Sequence, residues 1–172
     1  MTFADDPARW TIRFATPHDA APYAQAAEQF FRQTYGHDAG HAAVMDRHCA
    51  ETYASRAIAV QLEDPAVTAL IANVGAAMVG LAQLRVNGDA GEVERFYIDH
   101  QWHGQGLAQD MMEGLHRIAA SLGLRSLHLG VWSQNTRAIA FYRRQGFIPS
   151  GTVDFLLAGS VQADLLLRKD LS

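Results

Sequence analysis

Apolar side chains return every three or four positions between residues 19 and 34, placing Tyr23, Ala26, Ala27, Phe30 and Phe31 on one stripe. That spacing predicts an amphipathic helix closed by Gly36. A short strand precedes it at residues 10–14, ended by Thr16-Pro17, and a second helical region spans residues 41–61, broken near Ser55 and closed by Pro65. The run VTALIANVGAAMVGLAQLRV changes period and predicts two strands about a turn near residues 74–76. GDAG at residues 88–91 makes the next turn, and EVERFYID at residues 92–99 a third strand.

Helical spacing resumes at residues 106–122 with Leu107, Met111, Leu115, Ile118 and Leu122, and Gly123 stops it. SLHLGVW at residues 126–132 predicts a buried strand, residues 135–145 a short helix ended by Gly146, and residues 147–169 a hairpin around Ala158-Gly159-Ser160. A strand, a helix and a strand in succession imply a parallel pair with a crossover. The fold class expected is α+β: a mixed, mostly antiparallel twisted sheet flanked by helices, with a central β-α-β crossover. It occupies one domain at residues 10–172, with a flexible arm at residues 1–9.

Composition narrows the function classes. Apolar residues make up 49% of the 172 and charged residues 19%, as in ordinary globular domains. A net charge of −4 gives no broad attraction to nucleic acid or an anionic membrane. The single cysteine, Cys49, excludes an intrachain disulfide. The first ten residues, MTFADDPARW, lack the apolar run of a signal peptide, so a cytoplasmic setting is expected.

Candidate chemistry starts at HGQGLA, residues 103–108. Two glycines let the chain bend sharply and approach a ligand closely, and the helix start behind them offers free N–H groups and a positive dipole end. That suits a phosphate. The dinucleotide fingerprint lacks its third glycine here and the Walker pattern lacks Gly-Lys-Ser/Thr, so the alternative is a tight turn without ligand.

A second constellation decides between them. NTRAIAFYRRQGF, residues 135–147, joined to the glycine loop, resembles the GCN5-related N-acetyltransferase superfamily. Its loop pattern Q/R-x-x-G-x-G/A is matched by His103, Gly104, Gln105, Gly106, Leu107 and Ala108, with His103 replacing the usual Arg or Gln. Its later signature is matched by Asn135, Ala138, Phe141, Tyr142, Gly146 and Phe147.

The resemblance implies an acetyl-CoA site. Main-chain groups from Gly104 to Gln109 would cradle the diphosphate, Phe96, Tyr97 and Ile98 would bind the pantetheine arm like an added strand, and Asn135 would touch the cofactor from the far side. Tyr142 would protonate the departing thiolate. Glu92, six residues before Ile98, is the first candidate base, and Glu94 the second; strand alternation would set both on the face of Phe96 and Ile98. Some relatives carry a glutamate on the later strand instead, at the position of Gly130, which excludes that version.

The acceptor side is expected among Glu28, Tyr35, His37, Asp38, His41 and His48, with Trp132 and Tyr97 as walls or core aromatics. His37, Asp38 and His41 raise zinc as a lesser reading, and no metal is expected. Cys49 is expected to be a buried structural thiol. The function implied is acetyl transfer to a primary amine by direct attack, the amine belonging to a small molecule such as a polyamine, amino acid or antibiotic. The alternatives are a peptide N-terminal acetyltransferase and a non-catalytic CoA-binding sensor. Dimers are common in the family, so a homodimer is compatible.

Overall fold

The two-sided burial of the run at residues 67–86 organises the molecule. In β2 (Val67–Val74), Leu70 and Ala72 belong to one core while Ala69 and Ile71 belong to another, so the strand is apolar on both faces. Its neighbours β1 (Thr11–Phe14) and β3 (Ala77–Asn87) pair with it antiparallel, and β4 (Ala90–Ile98) extends the meander. The computed structural model describes residues 9–36, 42–157 and 160–171. Most of the expected arm, the candidates His37, Asp38 and His41, and the hairpin tip at Ala158 and Gly159 lie outside the described residues.

Three helices join β1 to β2 and cover one face: α1 (Ala20–Tyr35), α2 (Ala42–Thr52) and α3 (Ser55–Glu63). The expected break near Ser55 falls at Ala54, whose extended backbone (φ −61°, ψ 131°) separates α2 from α3. On the other face lie α4 (Leu107–Ser121) and α5 (Thr136–Arg144), with Leu107, Met111, Met112 and Leu115 fully buried against β2 and β3. Each such side chain contributes about 1.5–3 kcal/mol relative to exposure.

The sheet has seven strands in the order β1-β2-β3-β4-β5-β7-β6. Helix α4 is the crossover between β4 and β5 (Ser126–Trp132), which run parallel. The hairpin of β6 (Ile148–Leu157) and β7 (Ser160–Asp170) closes the sheet, with β7 inserted against β5. Among the described residues no helix is long and apolar enough to cross a membrane.

Two irregularities in β4 set up everything downstream. Pairing with β5 covers only Ala90, Gly91 and Glu92, after which the strands part. Then Gln83 and Leu84 of β3 face Arg95 and Val93, leaving Glu94 as an extra, bulged residue. Directly opposed residues share a face, so Val93 stands with Leu84 and Phe96 with Ala82 on the α4 side. Glu92 stands opposite Arg85, and Arg95 opposite Gln83, on the α1–α3 side. The expectation that Glu92 shares a face with Phe96 and Ile98 is therefore corrected: one inserted residue inverts the parity of all that precedes it.

The place where the strands part is tightly filled. A methyl group on Gly91 would sit 2.9 Å from side-chain carbons of Leu84, Leu124 and Leu127 at once. Gly91→Ala is expected to lower stability by about 1–3 kcal/mol through overpacking. Urea unfolding would show this as a lower midpoint at unchanged slope.

Candidate active site

The loop after β4 is built by backbone conformation and braced from behind. Asp99 accepts from the Gln101 amide at 3.2 Å and caps a single 3-10 turn. Gly104 (φ 73°) and Gly106 (φ 99°) then take left-handed conformations open to glycine at little strain. Helix α4 starts immediately, and the amides of Leu107, Ala108 and Gln109 precede the first i−4 carbonyl of the helix, at its positive dipole end.

Trp10 supports this turn. Its indole donates to Asp110 Oδ2 at 2.9 Å, and its ring meets Trp102 edge-on at 6.0 Å. Arg9 donates to the Gln105 carbonyl at 3.2 Å and lies over the Trp10 ring. Such a cradle fits an anionic diphosphate.

His103 is held between two neighbours. Its Nε2 lies 2.9 Å from the Ile98 carbonyl oxygen, and its Nδ1 meets the Arg137 guanidinium. A guanidinium only donates, so Nδ1 accepts and Nε2 carries the hydrogen. Burial, and secondly Arg137, push the His103 pKa below the ordinary histidine range. The ring is neutral near pH 7, and Arg137 joins Arg9 as a cation beside the loop. One sequence signal existed for Arg137: a cation in the first turn of α5 opposes the helix dipole, a placement that favours an anionic partner.

A cleft of about 980 Å³ runs from this loop, between the parted edges of β4 and β5, to the aromatic surface of α1 and α2. Phe96, Tyr97, Ile98, His103, Gly104, Gly106, Ala108 and Gln109 line it among the predicted cofactor residues, while Leu107 points into the core. Asn135 also lines it, but its side-chain oxygen caps α5 by accepting from the Ala138 amide at 3.2 Å.

Tyr142 borders the middle of the cleft. Only 7% of it is exposed, and it packs edge-on against Phe96, Phe141 and Phe147. Burial first, then Tyr97 and Tyr35, raise its pKa well above the ordinary phenol range. The phenol is therefore a protonated donor at neutral pH.

The far end is aromatic. Tyr35 packs on Trp132 at 5.5 Å and on Phe31 at 4.6 Å, and Phe31 meets His48 at 5.1 Å. The Tyr53 and Tyr97 hydroxyls are 3.1 Å apart, and the Arg95 guanidinium lies over Tyr53. Arg95 is itself fixed by Gln61 at 2.7 Å and Gln83 at 2.8 Å.

The predicted acids divide. Glu92 is exposed and outside the cleft. Glu94 lines the cleft, with its carboxylate held by Arg85 at 2.5 Å and Gln83 at 2.6 Å. Glu28 pairs with Arg32 on the outer side of α1. Asp164 on β7, which carried no recognisable motif, lines the cleft, and burial raises its pKa. Cys49 is buried in the helix-side core, which raises its thiol pKa. Among the described residues no three His, Cys, Asp or Glu side chains could hold a metal ion.

The chain is similar to known acetyltransferases. The family model described as "Acetyltransferase (GNAT) family" matches residues 24–147. An uncharacterized N-acetyltransferase of Mycobacterium tuberculosis is 34% identical over 119 residues, 68% of this chain and 76% of that protein. A spermine/spermidine N(1)-acetyltransferase of Bacillus subtilis is 35% identical over 86 residues, 48% of this chain and 57% of that protein. Among solved structures, the PaiA N-acetyltransferase of Thermoplasma acidophilum in complex with coenzyme A superposes with a TM-score of 0.79 at 17% identity, covering 94% of this chain and 99% of that one.

The histidines give a testable pH dependence. His48, His103 and His116 all have folded pKa values lowered, chiefly by burial. The unfolded chain then binds more protons than the native one below the ordinary histidine range. Their contribution is complete above that range and is lost as pH falls toward the folded values. The thermal midpoint is expected to drop between pH 7.5 and pH 5.5. His103→Gln should flatten that slope; an unchanged slope by calorimetry would remove His103 from the account.

Proposed function

The chain belongs to the acetyltransferase (GNAT) family and is an N-acetyltransferase with acetyl-CoA as donor, and on that premise we propose that its acceptor is the primary amine of a small cationic molecule of the polyamine kind. The observation that carries this reading is the chemistry of the far end of the cleft. Tyr35, Trp132, Phe31 and Tyr53 line it with aromatic rings, with the carboxyl groups of Glu94 and Asp164 on the same side of the sheet. Aromatic faces and carboxylates together favour an alkylammonium chain over an anion or a neutral apolar group. The similarity to a spermine/spermidine acetyltransferase supports the same class.

Acetyl-CoA, when bound, supplies an activated acetyl group on sulfur. The residues of this chain would position and protonate. The amides from Leu107 to Gln109, with Gly104 and Gly106, would hold the diphosphate and Arg137 would add positive charge beside it. The β5-facing edge of Phe96, Tyr97 and Ile98 would take the pantetheine arm, which fits the gap that opens once pairing ends at Glu92. Tyr142 would give its phenolic proton to the departing sulfur. Residues from Trp10 onward would act as one catalytic domain.

Three measurements test these assignments. Thiol release from acetyl-CoA should be faster with spermidine than with free amino acids or a peptide bearing a free N-terminus; a preference for the peptide would move the acceptor to protein N-termini. Tyr142→Phe should reduce kcat by about 10²-fold or more with coenzyme A affinity unchanged, and an unchanged kcat would remove the acid role. Gly106→Val forces a branched side chain to a φ of 99° beside Trp10. It should weaken coenzyme A binding by about tenfold or more in calorimetry.

A further inference from the structure

We propose that Asp164 is the catalytic base of this enzyme, delivering a carboxylate from β7 into the open space beside Gly130 of β5. The inference rests on the amine-acetylating reading above and adds to it the group that prepares the amine.

Three geometric observations converge on Asp164. Its Oδ2 lies 3.8 Å from the point that a Cβ on Gly130 would occupy. Asp164 is also the cross-strand partner of Trp132, so both side chains stand on the face covered by α1. The cleft includes Gly130, Trp132 and Asp164 in its wall, directly beyond the gap between β4 and β5. The missing side chain at Gly130 thus leaves open the space into which the aspartate reaches.

The other acids are worse placed. Glu92 is outside the cleft, and the Glu94 carboxylate is tied to Arg85 and Gln83. Among the described residues no ion pair or hydrogen bond engages the Asp164 carboxylate. Its burial holds the pKa above the usual aspartate range, which moves it toward the value a base needs at neutral pH.

The step is a proton transfer. One N–H bond of the substrate ammonium breaks, its electron pair stays on nitrogen, and the proton forms an O–H bond on Asp164, which later releases it to cleft water. Of the elements packed against Asp164, α1 brings the titratable Tyr35, β5 brings Gly130 and Trp132, and β6 brings Val153. Burial keeps Tyr35 protonated far above neutrality. Asp164 is therefore the acid at this spot whose proton burial holds more tightly than an ordinary aspartate would.

Two measurements judge the proposal. With spermidine, or with a peptide carrying a free N-terminus should spermidine be refused, Asp164→Asn should lower kcat/KM at pH 7 by about 10²-fold or more. The deficit should shrink as pH rises toward the amine's own pKa, with coenzyme A binding unchanged by calorimetry. Adding Gly130→Glu to Asp164→Asn should recover more than about tenfold, because a carboxylate returns to the same space from β5. A loss below twofold, or a large loss that is independent of pH and not rescued, overturns the assignment. Separately, carbon NMR of aspartate-labelled enzyme should show one carboxyl titrating above the ordinary aspartate range and missing in Asp164→Asn. An ordinary titration there also overturns it. Wild-type enzyme inactive on both amines would sink the amine reading, while the NMR titration would still decide whether Asp164 is a poised base.

Discussion

The early end of the β4–β5 pairing is the constraint on which the rest of the structure depends. A parallel pair that holds for only three residues leaves main-chain donors and acceptors of both strands facing a gap rather than each other. The sheet tolerates this because each strand is secured on its other side, β4 by β3 and β5 by β7. Helix α5 with Tyr142 closes one side of the gap, and the aromatic surface of α1 and α2 closes the other. An extended ligand that supplies the absent hydrogen bonds is the physical complement of such an opening.

The two ends of the cleft are built on different principles. At the loop the wall is backbone: left-handed glycines, a helix start and a brace made by Trp10, Trp102 and Asp110. Backbone geometry of that kind fixes an anion regardless of what the anion is attached to. At the far end the wall is made of side chains, aromatic rings and carboxyl groups.

Between these ends the bulge at Glu94 has an energetic consequence. It turns Arg95 into the helix-side core, where the residue is only 9% exposed and its guanidinium must be partnered. Gln61 and Gln83 accept its hydrogen bonds, Gln83 also accepts from the Tyr23 hydroxyl, and Tyr53 lies under its face. That network fixes the rings of Tyr53 and Tyr97, and so the floor of the acceptor end.

The glycine loop, the α5 signature and the helical stripes were legible in the sequence because each is a local requirement. Left-handed turns need glycine, caps need Asn, and a helix must repeat its apolar residues every three or four positions. The same local signals placed the strands and the crossover. They could not place Glu92 or Asp164. The face of Glu92 depends on an extra residue relative to β3, and the position of Asp164 depends on the register of β7 against β5, where Trp132 meets Asp164 across a gap of many residues in the chain. Register is a relation between strands, fixed only when their side chains settle into shared cores. The tertiary structure therefore decided which carboxyl groups line the cleft, while the sequence alone determined where the loop would bend and which helix would stand behind it.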